Sequence, residues 1–244
     1  MSKEPTPTDS LYRTPMQKFG SIIMFLFTVL MLVAALMQVI WLSCHTVRAV
    51  SGASMRPLIN NYESETTGDL VILNNNTNVT HGDVIVFSLA ENTSSQIEDK
   101  QLIKRVIAVA GDNIRFELNA TNYSLDVYLN GSKLTEDYVL SVDKSSPDRD
   151  AQFNKLVHKY EAFITQNDWL YWKGERADMV RRQADGSITI PSGCMFCMGD
   201  NRLDSYDSRN FGPVPVEWCE GIVENVLLRD TFMNYLLSSI YGIQ

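Results

Sequence analysis

Leu102-Ile-Lys-Arg-Val-Ile-Ala-Val-Ala-Gly-Asp112 reads as a β-strand ending in a Gly-Asp turn, and it decides the class of this chain. β-Branched and small apolar residues fill it, a composition suited to a pleated, half-buried surface. Side chains alternate across a strand. Leu102, Lys104, Val106, Ala108 and Ala110 therefore share one face, and Ile103, Arg105, Ile107 and Val109 the other. Of the two adjacent cations, Lys104 is the one whose face is otherwise wholly apolar.

The same pattern recurs on both sides. Residues 68–73, 83–87, 113–118, 125–129, 187–191, 194–198 and 222–228 are short runs of strand-like composition. Asn130-Gly131 is a strong hairpin signal, because both residues tolerate positive φ. Between residues 151 and 166 the period changes: Phe153, Leu156, Val157, Tyr160, Phe163 and Ile164 fall at helical spacing. The expectation is a mainly β domain over residues 44–244, with a smaller subdomain inserted over 133–186. The apolar stretch 232–243 is too short to span a bilayer; it can pack on the domain or lie in the membrane interface, and packing is the favoured expectation.

Ahead of this region lies a different material. Residues 22–42 are almost wholly apolar, interrupted mainly by Thr28 and Gln38. As a helix they would rise roughly 31 Å, matching a hydrocarbon core of about 30 Å. The reading is a polar cytoplasmic tail over 1–18 and a transmembrane helix over 19–43. A cleavable signal peptide would have a shorter apolar region and a small-x-small exit, and neither is present. Arg13 and Lys18 flank the entry while Arg48 follows the exit, which places the N-terminus in the cytoplasm and the domain outside the cell membrane. The lipid bilayer is thus an expected partner.

Charge and cysteine usage exclude other classes. Twenty-one basic against 29 acidic residues give a net charge of −8, and no dense basic cluster occurs, which argues against nucleic acid as a partner. Four cysteines are too few for a disulfide scaffold. Cys194 and Cys197 have a Cys-x-x-Cys spacing, but no second pair or histidine pair completes a tetrahedral site. On a strand the two would point to opposite faces, so they read as structural.

A nucleophile is best sought in Ser51-Gly-Ala-Ser-Met-Arg-Pro57. Gly52 and Ala53 leave the approach to Ser54 uncrowded, and Pro57 stiffens the exit. A serine hydroxyl needs a base. None of the three histidines, His45, His81 and His158, sits in a motif. Lys104 is the better candidate, since burial disfavours an ammonium and makes a neutral amine available. Arg105 cannot serve, because its guanidinium keeps its proton. The third segment, Gly199-Asp-Asn-Arg-Leu-Asp-Ser-Tyr-Asp-Ser-Arg-Asn-Phe-Gly212, gathers polar residues between two strands. Asp207 and Arg209 can pair and shape it, and a serine hydroxyl can hold an amine. Its aspartates do not follow a calcium-loop spacing.

Together these segments resemble those of bacterial type I signal peptidases, membrane-anchored serine–lysine proteases. Ser54-Met-Arg-Pro57 is similar to the family's Ser-Met-x-Pro box, and Lys104-Arg-Val106 begins its Lys-Arg-Val box. Residues 199–209 closely match its Gly-Asp-Asn-Arg-x-x-Ser-x-Asp-Ser-Arg box, in the family's order. The resemblance implies an antiparallel β-sheet domain and cleavage of signal peptides from secretory precursors. It implies Ser54 as nucleophile and Lys104 as general base, with no metal or cofactor. Ser205 would hydrogen-bond the lysine amine, and Asp207 and Arg209 would support the site. Gly52 stands where some members have a serine that joins the oxyanion hole. Leu58 stands where the family usually has threonine.

Overall fold

The computed structural model describes residues 15–60, 68–75, 77–89, 101–165, 180, 182–228 and 231–241. The chain divides into two units, Met1–His45 and Thr46–Gln244.

The first unit is helix α1, Pro15–Cys44, long and apolar enough to cross a membrane. Its hydroxyl side chains are satisfied locally: Ser21, Thr28 and Ser43 each donate to the carbonyl four residues earlier. That arrangement suits a segment with no water to bond. Pro15 to Lys18 are helical, and the rest of the expected tail lies outside the described residues.

The second unit is mainly β. Its larger sheet holds β1 (His45–Ala49), β2 (Leu70–Asn74), β3 (Val84–Ser88), β4 (Gln101–Val109), β9 (Cys194–Met198), β10 (Val214–Pro215) and β11 (Cys219–Leu227). The spatial order is β1-β2-β11-β3-β4-β9-β10, and the pairs from β2 through β10 are antiparallel. A four-stranded sheet, order β7-β6-β5-β8, is built from β5 (Asn113–Asn119), β6 (Ser124–Leu129), β7 (Ser132–Lys133) and β8 (Ile188–Thr189). Helix α2, Arg149–Thr165, packs on it. Asn130 and Gly131 turn β6 into β7 with both φ positive, as their composition foretells.

The smaller sheet starts before residue 133. Its hairpin of β5 and β6 precedes residue 133 and β8 follows residue 186, so apart from Lys133 of β7 this sheet is built from strands outside the 133–186 stretch. The reason is that β5 leaves β4 through a tight turn at Gly111 and changes sheets without any composition shift.

Strand β9 is the wall between two cores, and all five of its residues are buried. Cys194, Phe196 and Met198 join a cluster with Ile114, Phe116 and α2's Leu156 and Phe163. Met195 and Cys197 face a second cluster with Ile85, Phe87, Val106 and Phe211. The two cysteines therefore do lie on opposite faces, and none of the four cysteines forms a disulfide. A third cluster, including Met55, Ile59, Val71, Val86 and Ile103, underlies the serine turn.

Strand β4 departs from strict alternation. Its register with β9 shifts between Val106 and Ala108. Beyond that irregularity Ala108 joins Ile107 in the first cluster, while Val109 packs with Val106 and Leu102 against the second. One extra residue reverses the face of everything after it. Lys104 precedes the shift and keeps the expected face.

Candidate active site

Ser54 sits on a turn that follows β1. Gly52 reaches it at φ +88°, a left-handed conformation that strains any residue with a Cβ. Met55 and Ile59 are fully buried beneath the turn, and the Ile59 N–H donates to the Met55 carbonyl at 3.1 Å. Leu58, the departure from the usual threonine, is 42% exposed and so changes nothing in the packing under Ser54.

Lys104 comes from β4, opposite Ile85 of β3. It is 3% exposed, and its Nζ donates to Ser54 Oγ at 2.9 Å and to the Ile103 carbonyl at 2.8 Å. Both acceptors are neutral. Behind it on β9 is Cys197, whose thiol is pushed well up by burial and stays protonated.

The 199–212 loop grips the serine turn from the side. Asn201 donates its backbone N–H to the Ser54 carbonyl at 3.0 Å and its side-chain amide to the Ala53 carbonyl at 3.1 Å. Gly199 is required by space: a Cβ there would stand 2.3 Å from Ser205 Oγ and 2.5 Å from the Ser54 carbonyl oxygen. The loop is held by buried charge. Asp207 caps helix α3, Ser208–Phe211, and accepts from Arg209 Nε at 2.9 Å, Arg209 Nη2 at 2.8 Å and the Gly199 N–H at 3.1 Å. Burial alone would raise this carboxyl; the Arg209 charge and bidentate bond outweigh it and hold it well below the usual range. Arg209 also donates to the Arg202 carbonyl at 3.1 Å.

Ser205 is buried against Gly199, and its hydroxyl, which meets no partner at close hydrogen-bond geometry among the described residues, helps to lower the neighbouring Asp207 carboxyl. Its carbonyl is taken by Lys159 of α2, at 2.6 Å. Burial, followed by the nearby Arg209 charge, lowers the Lys159 amine.

Two further groups were invisible in the sequence. Asn60, at φ +56° and buried, donates its amide to the Val50 and Gly52 carbonyls at 2.9 and 3.1 Å. It exchanges bonds with buried Asp69, the Asn60 N–H to Asp69 Oδ2 and the Asp69 N–H to Asn60 Oδ1, both at 2.8 Å. A Cβ at the adjacent Gly68 would lie 1.6 Å from the Val50 oxygen, so only glycine lets the strands close. This staple fixes residues 50–52, which lead into Ser54. The only sequence signal was a polar residue following the apolar Leu58-Ile59.

A cleft of about 500 Å³ opens over Ser54 and Lys104, walled by 48–53 on one side and 101–103 on the other, with Asp204 and Tyr206 at its rim. No histidine lines it; His81 is bonded to Asp112 at 2.6 Å in the turn after β4. Among the described residues no group of three or more His, Cys, Asp or Glu is placed to hold a metal.

Comparison with known proteins follows this geometry. Residues 21–228 match the family described as signal peptidase, peptidase S26. A signal peptidase I of Bacillus caldolyticus is 28% identical over 179 residues, covering 72% of this chain and 75% of its own. Signal peptidase I U of Bacillus subtilis (strain 168) is 24% identical over 188 residues, covering 77% of this chain and 78% of its own. A solved signal peptidase I from Enterococcus faecalis V583 shares 24% identity over 59% of this chain and 96% of that one. Its TM-score of 0.32 is too low to bear on the site. With the family match running from the apolar helix through the last strand of the sheet, this chain belongs to the S26 signal peptidases.

Proposed function

We propose that this chain is a membrane-anchored serine endopeptidase that removes N-terminal signal peptides from secretory precursors, with Ser54 and Lys104 as its dyad. The observation that carries the reading is the 2.9 Å approach of Lys104 Nζ to Ser54 Oγ at the floor of the cleft.

The neutral amine takes the hydroxyl proton as Oγ attacks the scissile carbonyl carbon. The tetrahedral intermediate collapses, the lysine returns the proton to the leaving amine, and an acyl-enzyme remains. Water then attacks this ester, again with Lys104 as base, and frees Ser54. Burial of Lys104 favours the amine form, because it disfavours the ammonium, and both Ser54 Oγ and the Ile103 carbonyl are neutral acceptors. Ser205, Asp207 and Arg209 hold the loop that fixes Ser54, and Gly52 supplies the backbone turn that brings it to the cleft.

The walls suit an extended substrate. The register of β4 with β9 begins at Arg105, so among the described residues 101–104 pair with a strand on the β3 side alone. A peptide laid along this edge adds a strand to it, its alternate side chains entering the cleft. Small residues at the first and third positions before the cut match signal-peptide exits. The N-terminus is cytoplasmic and the domain extracytoplasmic, as the flanking charges indicate.

The test is cleavage of a signal-peptide-bearing precursor in liposomes by wild type, Ser54→Ala and Lys104→Ala. Cleavage after the small-x-small site by wild type alone is expected. Processing by Lys104→Ala at the wild-type rate would overturn the dyad.

A further inference from the structure

Lys159 stands on the inward side of α2, where a lysine is out of place. Leu156 and Phe163 are the buried residues of that helix, and Lys159 lies three residues after the first and four before the second, on the same face. Its side chain is half-buried and ends on the Ser205 carbonyl, 2.6 Å away. A lysine with no task turns its head to water. Lys155, one turn earlier on the same helix, is exposed.

The Ser205 carbonyl belongs to the least secured part of the 199–212 loop. Up to Asp204 the loop is tied to Asn201, whose carbonyl and Oδ1 both accept the Asp204 N–H at 3.2 Å. From Asp207 onward it is tied by the Arg209 pair and the cap of α3. Between these clamps, among the described residues, the backbone of Ser205 and Tyr206 has one hydrogen bond, the one from Lys159. The residues flanking Ser205, Asp204 and Tyr206, are those at the rim of the cleft. Tyr206 is 41% exposed, and its ring rests on Phe211 with centroids 5.5 Å apart.

We propose that Lys159 is a positioning residue for substrate fit: its bond to the Ser205 carbonyl fixes the Asp204–Tyr206 rim against the segment of precursor lying over Ser54. This rests on the cleft over Ser54 and Lys104 being the place of cleavage. The dyad itself is held from elsewhere, Lys104 by β4 and the serine turn by Asn201 and the Asn60 staple. Loss of Lys159 therefore loosens a wall and leaves the reacting atoms in place, a change read in KM before kcat. An ammonium suits the task, because a charged donor makes a shorter and stronger bond to a carbonyl than a neutral one. The assignment also gives the 133–186 stretch a part in the site. Glu136 accepts from Arg202 Nη1 at 2.9 Å, and Leu203 packs on the cluster that holds Leu156 and Phe163, so this stretch braces the catalytic loop from behind.

The test uses the full chain in detergent and a precursor with alanine at the first and third positions before the cut. Wild type, Lys159→Met, Lys159→Arg and Lys155→Met are compared, with Ser54→Ala as the blank. Lys159→Met keeps an unbranched side chain without its donor, and is expected to raise KM several-fold with kcat within about twofold of wild type. Lys159→Arg restores a charged donor and should recover most of the KM, while Lys155→Met should match wild type. An unchanged KM in Lys159→Met overturns the proposal. So does a fall in kcat at constant KM, which marks a scaffold role alone. The same substitution in a Tyr206→Ala background is expected to change KM much less, since the wall it steadies is gone; an undiminished effect there overturns the route through the rim. Should Lys159→Met fail to fold, Lys159→Gln takes its place with the same expectations. Absence of cleavage by wild type would remove the protease reading and this proposal with it, whereas the other outcomes overturn this proposal alone.

Discussion

Arg105, Arg202 and Arg209 lie near the Ser54 turn together with Lys104, and the fold treats the arginines and the lysine in opposite ways. Arg105 is bound through two of its side-chain nitrogens to Asp200, as Arg202 is to Glu136 and Arg209 to Asp207. Lys104 instead donates to a hydroxyl and a peptide carbonyl. A carboxylate beside Lys104 would favour its ammonium and hold the proton that catalysis must move. Guanidinium groups never release theirs, so they can carry carboxylates through the interior as fixed scaffolding. The difference separates groups that hold shape from the one group proposed to exchange a proton.

Lys104→Arg is the sharpest way to break this contrast. It replaces the buried amine by a guanidinium that cannot give up its proton and so removes the base, and precursor cleavage is expected to fall by on the order of 10⁴-fold or more. Retained turnover would mean that the base is another group.

Arg209→Met should do the reverse. It strands the fully buried Asp207 carboxylate, and loss of one member of a buried pair costs about 3–5 kcal/mol. Urea unfolding of the variant should show that loss, with activity falling as the 199–212 loop loosens. An unchanged midpoint would remove the arginines from the scaffold role.

The Asn60 staple offers a middle case, neutral but buried. Asn60→Ala leaves the Val50 and Gly52 carbonyls without their donor, a loss of about 1–3 kcal/mol. The reduction in kcat/KM should exceed that of a surface control, because residues 50–52 lead into Ser54. An effect on stability alone would make the staple purely structural.

The smallest effect concerns acid. The folded-state pKa of Asp207 is depressed, so its contribution to stability is complete above an ordinary aspartate pKa of about 3.9 and is lost as pH falls below it. Asp207→Asn, less stable at neutral pH, should show a flatter decline of its urea midpoint between pH 5 and pH 2. Parallel declines in variant and wild type would assign the acid limb to other carboxylates.

Much of this molecule was legible beforehand where the signal was local. The apolar run of α1, the strand composition of β4 and β9, and the Asn130-Gly131 turn each declare themselves within a few residues. Cys194 and Cys197 fell on opposite faces because the period of a strand is two. Lys104 was singled out by the same alternation. The failures were non-local. The shift after Val106 depends on what β9 does opposite, and the width of the smaller sheet depends on β5 leaving β4 through a turn that looks like any other. That the Ser205 carbonyl holds Lys159 of α2 likewise depends on a helix forty-six residues away.

The sequence by itself determined an apolar span, a β domain and a serine, a lysine and a charged loop in the order of a known family, because periodicity and motif spacing are properties of neighbouring residues. Only the tertiary structure decided that Lys104 meets Ser54 across fifty residues of chain and that Asn60 and Asp69 lock the approach. Those outcomes depend on which surfaces come to lie against each other, and that is fixed by packing and hydrogen-bond geometry between distant segments.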